Sequence, residues 1–284
     1  DFNDSAEEAT FRSEAAAWLN ANLPSEADLD GLTDMQKAKL WQKRKADAGW
    51  ACIRWPQEYG GRGANAIEQV ILNQEEAKLA APNVGVFSIG QGMAAPTMQT
   101  WATEEQKKRY LPKLASGEWI GAYCLTEPGA GSDANSGRTK AELTADGKSW
   151  KINGQKMWIS NAGYANLFIV FARIENDKYI TGFIVERGTE GLTFGEEEHK
   201  MGIHASSTRQ VFFNDVTIPV ENLLGERNGG FKIAMNVIAM LIGFIALIAL
   251  VDWSLLKIGH LFSANLDLSL NFIYDIRIRL YFFW

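Results

Sequence analysis

The sequence is poor in cysteine and histidine. Its only cysteines, Cys52 and Cys124, lie far apart and have no second pair, which excludes a disulfide framework and a thiolate zinc site. The histidines are His199, His204 and His260, and none stands at a metal-ligand spacing from another ligating residue. We therefore expect no catalytic metal and a reducing compartment.

Positive charge is also in deficit. The chain has 28 Lys and Arg against 34 Asp and Glu, a net charge of −6, and this disfavours nucleic acid as a partner. No basic stretch followed by an apolar run opens the sequence, so no signal peptide is expected. With 284 residues and 46% apolar composition, the chain can form two or three globular units with their own cores.

The first region, residues 1–118, has a helical pattern. Three pairs have the spacing of an N-cap residue and its reciprocal partner: Ser5 with Glu8, Thr33 with Gln36, and Thr103 with Gln106. Apolar residues recur at helical intervals after them. Pro24–Gly31 and Pro56–Gly63 break the pattern and are expected to be connectors. This predicts a helical domain.

Residues 119–226 change to short runs of β-branched and aromatic residues. Turn signals separate these runs at Asp146-Gly147, at Asn153-Gly154 and within Arg187–Gly191, and the first two predict hairpins. Many short strands indicate a β-barrel or a sandwich, and a Rossmann domain is disfavoured because no long helix alternates with them. The predicted fold class is α+β: an N-terminal helical domain, a middle β-barrel domain and a short, incomplete C-terminal helical segment.

Residues 227–284 are expected to begin as a helix and then become unusual. Ile233–Val251 holds one polar residue, Asn236, among nineteen. Three interpretations stay open: a membrane span, a buried helix of a shortened third domain, or a non-native terminus. A span is possible but not favoured, because Asn236 lies inside the run and few basic residues flank it. The apolar ending Leu280–Trp284 favours the last interpretation, since such a segment invites aggregation unless it is covered.

The stretch from Tyr123 to Asp133 is the most informative motif. It follows a predicted strand and has two glycines around one alanine, with hydroxyl residues on both sides. Glycines let backbone N–H groups approach an anion such as a pyrophosphate, but a glycine-rich loop can equally be a plain turn. The third glycine of a dinucleotide fingerprint is missing.

A second stretch, Asn153–Asn161, contains Trp158 two residues before Ser160. An indole can present its face to a planar ring, with a neighbouring hydroxyl at the edge of that ring. The alternative is a hairpin with Trp158 in the core, because tryptophan is usually buried.

Together the two stretches resemble the acyl-CoA dehydrogenase family. Other segments extend the resemblance over about residues 1–240: Gln74-Glu75-Glu76, Glu104–Pro112, Thr181–Glu186, Lys200–Ile203, Ser206–Arg209, Asp215–Asn222 and Gly229–Met235. In this family the cofactor is FAD and the reaction is α,β-desaturation of a fatty acyl-CoA thioester. A carboxylate removes the α-proton, and the electrons normally pass to an electron-transferring flavoprotein.

The resemblance also implies site residues. It assigns FAD binding to Tyr123, Leu125, Thr126, Gly131, Ser132, Trp158, Ile159 and Ser160. Thr126 would hydrogen-bond the flavin ring, Trp158 would cover one face, and Ser160 would lie near the reactive nitrogen. Contacts to acyl-CoA are assigned to Ser132, Ser207 and Arg209. A location in the bacterial cytosol, or in the mitochondrial matrix of a eukaryote, would follow.

After Met240 no match to the family's third domain is found. That domain supplies the catalytic Glu and most of the homo-oligomer interface, whereas the last Glu here is Glu226. We therefore assign no catalytic residue and expect little turnover by this chain alone. Two other functions stay open, a non-catalytic flavin or acyl-CoA binding relic and an acyl-CoA oxidase relative. A weak similarity of residues 120–235 to the very-long-chain branch favours long acyl chains.

Overall fold

The computed structural model describes residues 4–237. The chain divides into two units, Asp1–Ile233 and Ala234–Trp284, and the second is described only over its helical residues 234–237. The three interpretations of the apolar tail fall almost wholly outside the described residues. Over the part that is described, no helix combines the length and the apolar character that crossing a membrane requires.

Six α-helices form between residues 4 and 118. They are α1 (Ala6–Asn22), α2 (Glu26–Leu29), α3 (Asp34–Asp47), α4 (Ala66–Glu76), α5 (Ala95–Trp101) and α6 (Glu104–Ala115). The three predicted capping boxes are confirmed, since both reciprocal hydrogen bonds form at the starts of α1, α3 and α6. An N-cap of this kind is typically worth about 1 kcal/mol, so local sequence fixes where these helices begin.

The connector predicted over Pro24–Gly31 is only partly irregular. It contains the single turn α2, which begins with a capping box between Ser25 and Asp28. The Pro56–Gly63 loop is irregular as expected apart from one 3₁₀ turn, and its backbone is tightly packed. A Cβ at Gly61 would lie 2.0 Å from the Trp55 carbonyl oxygen, so no larger residue fits there.

Tryptophans fill the helical core. Trp41 and Trp50 are buried, and the Trp18 ring stacks on them with centroid distances of 5.9 and 5.8 Å. Lys45 is buried beside them, and its Nζ lies 2.8 Å from Glu76 Oε1. The same carboxylate oxygen accepts a hydrogen bond from Trp41 Nε1 at 2.7 Å, so the buried cation is paired within its own core.

Between residues 119 and 237, eight strands follow these helices. They are β1 (Gly121–Cys124), β2 (Lys140–Leu143), β3 (Ser149–Ser160), β4 (Leu167–Ile174), β5 (Thr181–Glu186), β6 (Leu192–Glu197), β7 (Thr208–Pro219) and β8 (Leu223–Leu224). Their hydrogen-bonded order is β6-β7-β3-β2-β4-β5-β8, with β1 pairing to β4. The α+β class, helices first and a β-sheet region second, is thus confirmed.

Side chains from distant strands meet in one buried cluster. Trp150 of β3 meets Phe183 of β5 at 5.7 Å between ring centroids, and Phe168 of β4 meets Phe194 of β6 at 5.5 Å. Most strands are antiparallel, but β4 pairs in parallel with both β1 and β2. The sheet therefore folds over a shared core, which holds β1 and β3 in fixed positions.

A π-helical turn at Gly90–Ala94 packs directly on the start of β1. A Cβ added to Gly121 would lie 2.7 Å from the Gly90 Cα, so both positions need glycine for this backbone approach. Nothing in the local sequence pattern predicted this contact.

One hairpin prediction is wrong. Asp146-Gly147 does join β2 to β3, but Asn153-Gly154 lies inside β3, at a bulge opposite β7. The Asn153 side chain donates to Asp215 Oδ1 at 2.9 Å and accepts from the Asp215 N–H at 2.8 Å. Because of this pairing with β7, strand β3 continues through Asn153-Gly154, a dipeptide that would by itself favour a turn.

Candidate functional site

The two stretches singled out in the sequence lie side by side. Met157 N donates to the Thr126 carbonyl at 2.9 Å, and Lys156 Nζ donates to the Leu125 carbonyl at 3.1 Å. Two consecutive residues of β3 therefore hold two consecutive carbonyls of the loop that follows β1. The site is built where this loop meets the middle of β3.

Trp158 occupies a bulge in β3. The register with β7 shifts between Lys156 and Ile159, and Trp158 has a left-handed φ of 57°. Its side chain is 61% exposed, so the core position considered from the sequence is excluded. The neighbouring Ile159 points the other way and is buried in the β-domain core, so its side chain does not share the surface of Trp158. Ser160 is half-buried at the end of β3.

The glycine-rich loop begins with a narrow turn. Glu127 and Ala130 exchange two backbone hydrogen bonds of 3.1 Å, which project Gly129 to the surface. A Cβ at Gly129 or Gly131 would meet nothing within 4 Å, and Ser132 beside them is exposed. The backbone of this loop is therefore open to a ligand from outside.

Tyr123, on β1 before the loop, carries an unpaired polar atom. Its hydroxyl is buried and makes no hydrogen bond within 3.5 Å to any residue between 4 and 237, although the Thr97 side chain lies near it and opposes the effect of burial on the phenol pKa. The ring packs 5.2 Å from that of Phe171, and burial raises the pKa of the Tyr123 phenol. An unsatisfied buried hydroxyl costs about 1–3 kcal/mol, so it marks a position where a ligand could supply the partner.

The expected acyl-CoA contacts Ser207 and Arg209 lie on the other side of β3. Asn161 N donates to the Ser207 carbonyl at 2.8 Å, which places the start of β7 beside Ser160. Both predicted side chains are engaged by Glu197: Ser207 Oγ donates to its Oε1 at 2.5 Å, and Arg209 Nε lies 2.9 Å from the same atom. Burial would raise the pKa of Glu197, but these donors hold that pKa below its ordinary value.

Asn161, which the sequence pattern did not single out, joins the site to the helical region. It has a left-handed φ of 64°, and its Nδ2 donates to the Val86 and Gly121 carbonyls at 2.8 and 3.3 Å. Both partners are distant in sequence, so the only available signal was the residue type, because Asn adopts left-handed backbone more often than most residues.

A polar surface cleft of about 240 Å³ lies beside Ser207, between Tyr164 and Lys200. Ligand pockets usually measure about 300–1,000 Å³ and are mostly apolar. The cleft alone therefore does not define a substrate site.

The chain thus has a helical region followed by a β-sheet, and the strand that carries an exposed indole is hydrogen-bonded to the loop that carries the open glycines. Two family models match the chain in this order. "Acyl-CoA dehydrogenase, N-terminal domain" matches residues 5–118, and "Acyl-CoA dehydrogenase, middle domain" matches residues 122–216. The chain belongs to the acyl-CoA dehydrogenase family, a family of FAD-dependent oxidoreductases.

Individual proteins agree with this membership. The human very long-chain specific acyl-CoA dehydrogenase is 42% identical over 221 residues, which are 72% of this chain and 32% of that protein. A short-chain specific acyl-CoA dehydrogenase of Clostridium acetobutylicum is 37% identical over 240 residues, 83% of this chain and 62% of that protein. The structure of an acyl-CoA dehydrogenase complexed with FAD from Bacillus anthracis aligns with a TM-score of 0.67 at 34% identity, covering 83% of this chain and 41% of that one. The chain spans less than two thirds of each.

Proposed function

We propose that the loop Leu125–Ser132 and the Trp158 bulge bind FAD, and that the chain serves in α,β-dehydrogenation of a fatty acyl-CoA thioester. The observation that carries this proposal is the contact between the two motifs. The hydrogen bond from Met157 to Thr126 holds the loop that carries the open glycines against the strand that carries the exposed indole. Family membership supplies the chemistry that such an arrangement would serve.

The residues present fit the cofactor. A flavin ring needs a flat apolar neighbour and polar groups at its edge, and Trp158, Thr126 and Ser160 supply these types. The unpaired hydroxyl of Tyr123 is a further polar group on β1, next to the loop. A diphosphate needs accessible backbone N–H groups and hydroxyls, which the open segment Gly129–Ser132 offers.

When bound, FAD would supply the acceptor for the hydride that leaves the β-carbon of the thioester. In that reaction Trp158 would cover one face of the ring and exclude water, while Ser160 would offer a hydroxyl near its edge. Ser132, Ser207 and Arg209 would contact the acyl-CoA. Ser207 and Arg209 are already bound to Glu197. Substrate binding there would therefore either replace Glu197 as their partner or add to its contacts.

The α-proton needs a carboxylate base, and two of the carboxylates near the assembled motifs are already held by partners. Glu127 is buried against Lys156, and Glu197 is held by Ser207 and Arg209. Each has a lowered pKa and occupied lone pairs, so each is a weak base. We propose that proton removal depends on a carboxylate outside residues 4–237. Because no segment after Met240 resembles the one that carries the family's catalytic Glu, we further propose that this chain alone turns over slowly.

The remaining parts of the proposal follow the family. Electrons would pass to an electron-transferring flavoprotein, and long acyl chains are the preferred substrate class. Homo-oligomers are common to the family, with an interface largely outside the region matched here. Two other functions remain as outcomes of the test: a binding relic without turnover, and an oxidase that passes electrons to oxygen.

The test begins with FAD titration of the purified full chain, followed by absorbance and by quenching of flavin fluorescence. We expect saturable, stoichiometric binding and a yellow protein. Anaerobic mixing with palmitoyl-CoA or octanoyl-CoA then reports flavin bleaching, and peroxide formation in air identifies an oxidase. A colourless chain that does not bind added FAD would refute the proposal. Rapid bleaching of the bound flavin would refute the expectation of slow turnover.

A further inference from the structure

Lys156 and Glu127 form an ion pair inside the β-domain. Lys156 Nζ lies 2.7 Å from Glu127 Oε1, and the two side chains are only 2% and 6% exposed. Burial lowers the pKa of Lys156. Burial would raise the pKa of Glu127, but the Lys156 charge and donors from Thr139 and Arg138 outweigh it and hold that pKa below its ordinary value.

Stability alone is a weak reason for such a pair. Removing two charges from water costs several kcal/mol for each ion, and apolar replacements of a buried pair are often neutral or stabilising. A buried pair is therefore better explained by the geometry that it fixes. Here it joins the strand that carries Trp158 to the loop that carries Thr126.

The lysine fixes one particular peptide. Its Nζ also donates to the Leu125 carbonyl at 3.1 Å, and a trans peptide directs the next N–H, that of Thr126, to the opposite side. The Thr126 carbonyl is itself bound by Met157 N, whereas the Thr126 N–H has no partner among residues 4–237. The pair therefore presents an unused backbone donor on the side facing away from the buried lysine.

The glutamate closes the base of the glycine loop. Its carboxylate accepts from Arg138 N at 2.5 Å and from Thr139 N at 3.1 Å, while its backbone pairs with Ala130. A Cβ at Gly137 would lie 3.0 Å from Glu127 Oε1, so the loop returns tightly against the carboxylate. Both ends of the 127–139 loop are thus held at one buried charge.

We propose that Lys156 and Glu127 are positioning residues for the flavin: they aim the Thr126 N–H at the polar edge of the ring and hold the Gly129–Ser132 backbone open for the diphosphate. This inference rests on the proposed function. Neither side chain contacts the cofactor, and both act through the backbone of the loop.

The test compares full-length Lys156→Met, Glu127→Gln and the double variant with the unaltered chain. Lys45→Met is the matched control, because Lys45 is also a buried lysine paired to a carboxylate but lies in the helical core. The readouts are the thermal midpoint without FAD, the Kd for FAD, and the position of the long-wavelength absorption band of bound flavin. The band reports hydrogen bonding at the ring, which a merely structural role would leave unchanged.

We expect all three β-domain variants to bind FAD at least tenfold more weakly and with a displaced absorption band. Each single variant leaves one buried charge without its partner, whereas the double variant removes both charges. The double variant should therefore keep a cooperative thermal transition even if a single variant does not fold. Lys45→Met loses thermal stability but keeps the wild-type band and Kd.

If the double variant folds and binds FAD with the wild-type Kd and band, the positioning role is wrong while the flavin site stands. If the Lys45 variant shifts the band as much as the β-domain variants, the effect is a general loss of stability and the inference is again wrong. Failure of the unaltered chain to bind FAD overturns both the proposed function and this inference.

Discussion

Trp158→Ala is predicted to separate cofactor binding from folding. The side chain is 61% exposed, so its removal leaves no cavity. Exposed substitutions usually change the free energy of unfolding by less than about 0.5 kcal/mol. We therefore expect the thermal midpoint without FAD to stay within about 2 °C of the wild type.

The loss of affinity follows from the exposed area. A tryptophan buries up to about 250 Å², so a side chain that is 61% exposed leaves roughly 150 Å² in water. A flat ring covers one face, or about half of that area. At about 25 cal/mol per Å², covering it is worth about 2 kcal/mol, which corresponds to a 20- to 30-fold rise in the Kd for FAD, within about a factor of three.

The assay is titration of FAD into apoprotein, followed by flavin fluorescence, for the wild type and three variants. Trp158→Phe keeps a flat face and is expected to recover most of the affinity. Tyr179→Ala removes another partly exposed aromatic ring, between β4 and β5, and is expected to leave the Kd unchanged. If Trp158→Ala binds FAD within twofold of the wild type, the indole is not part of the flavin surface.

Three further outcomes are expected. The pKa of Glu127 is below its ordinary value of 4.5, so its contribution to stability is complete above about pH 4.5 and is lost as the pH falls below that value. Thermal midpoints measured from pH 3 to 7 should therefore fall less steeply at the acidic end for Glu127→Gln than for the wild type. Tyr123→Phe removes an unsatisfied hydroxyl, so chemical denaturation without FAD should show unchanged or higher stability, by up to about 1 kcal/mol. Gly61→Ala places a Cβ against the Trp55 carbonyl and should cost at least about 2 kcal/mol in the same assay, whereas Gly92→Ala, with open space around it, should not.

The parts of the fold that sequence could predict are those with local causes. A capping box needs only residues three apart, and the boxes at Ser5, Thr33 and Thr103 form as predicted. Asp146-Gly147 makes its hairpin because the flanking strands pair with each other. Asn153-Gly154 carries the same kind of signal but has a partner on β7, 62 residues away, and that pairing outweighs the local preference for a turn.

The candidate site likewise has parts that the local sequence predicts and parts that depend on distant residues. The motifs around Ser132 and Trp158 were found in the sequence because the family's residues there are contiguous. The contact between the two motifs could not be predicted from the sequence, because it involves Lys156 and Glu127, which lie 29 residues apart. Neither residue type at those positions suggests burial, since lysine and glutamate are almost never fully buried unless they are paired.

The backbone of β3 connects these observations. Trp158 in β3 and Asn161 just after it both have left-handed backbone, with φ of 57° and 64°. Asn adopts this region readily, whereas at Trp158 it carries strain of about 1–3 kcal/mol. Such strain persists only where surrounding contacts fix the conformation. At Asn161 these contacts are the Val86 and Gly121 carbonyls, and at Trp158 the Met157 hydrogen bond to Thr126 lies immediately before it. The same contacts that hold the strained strand also bring β1, the glycine loop and the helical region against it, so the distortion of β3 is a consequence of assembling the site.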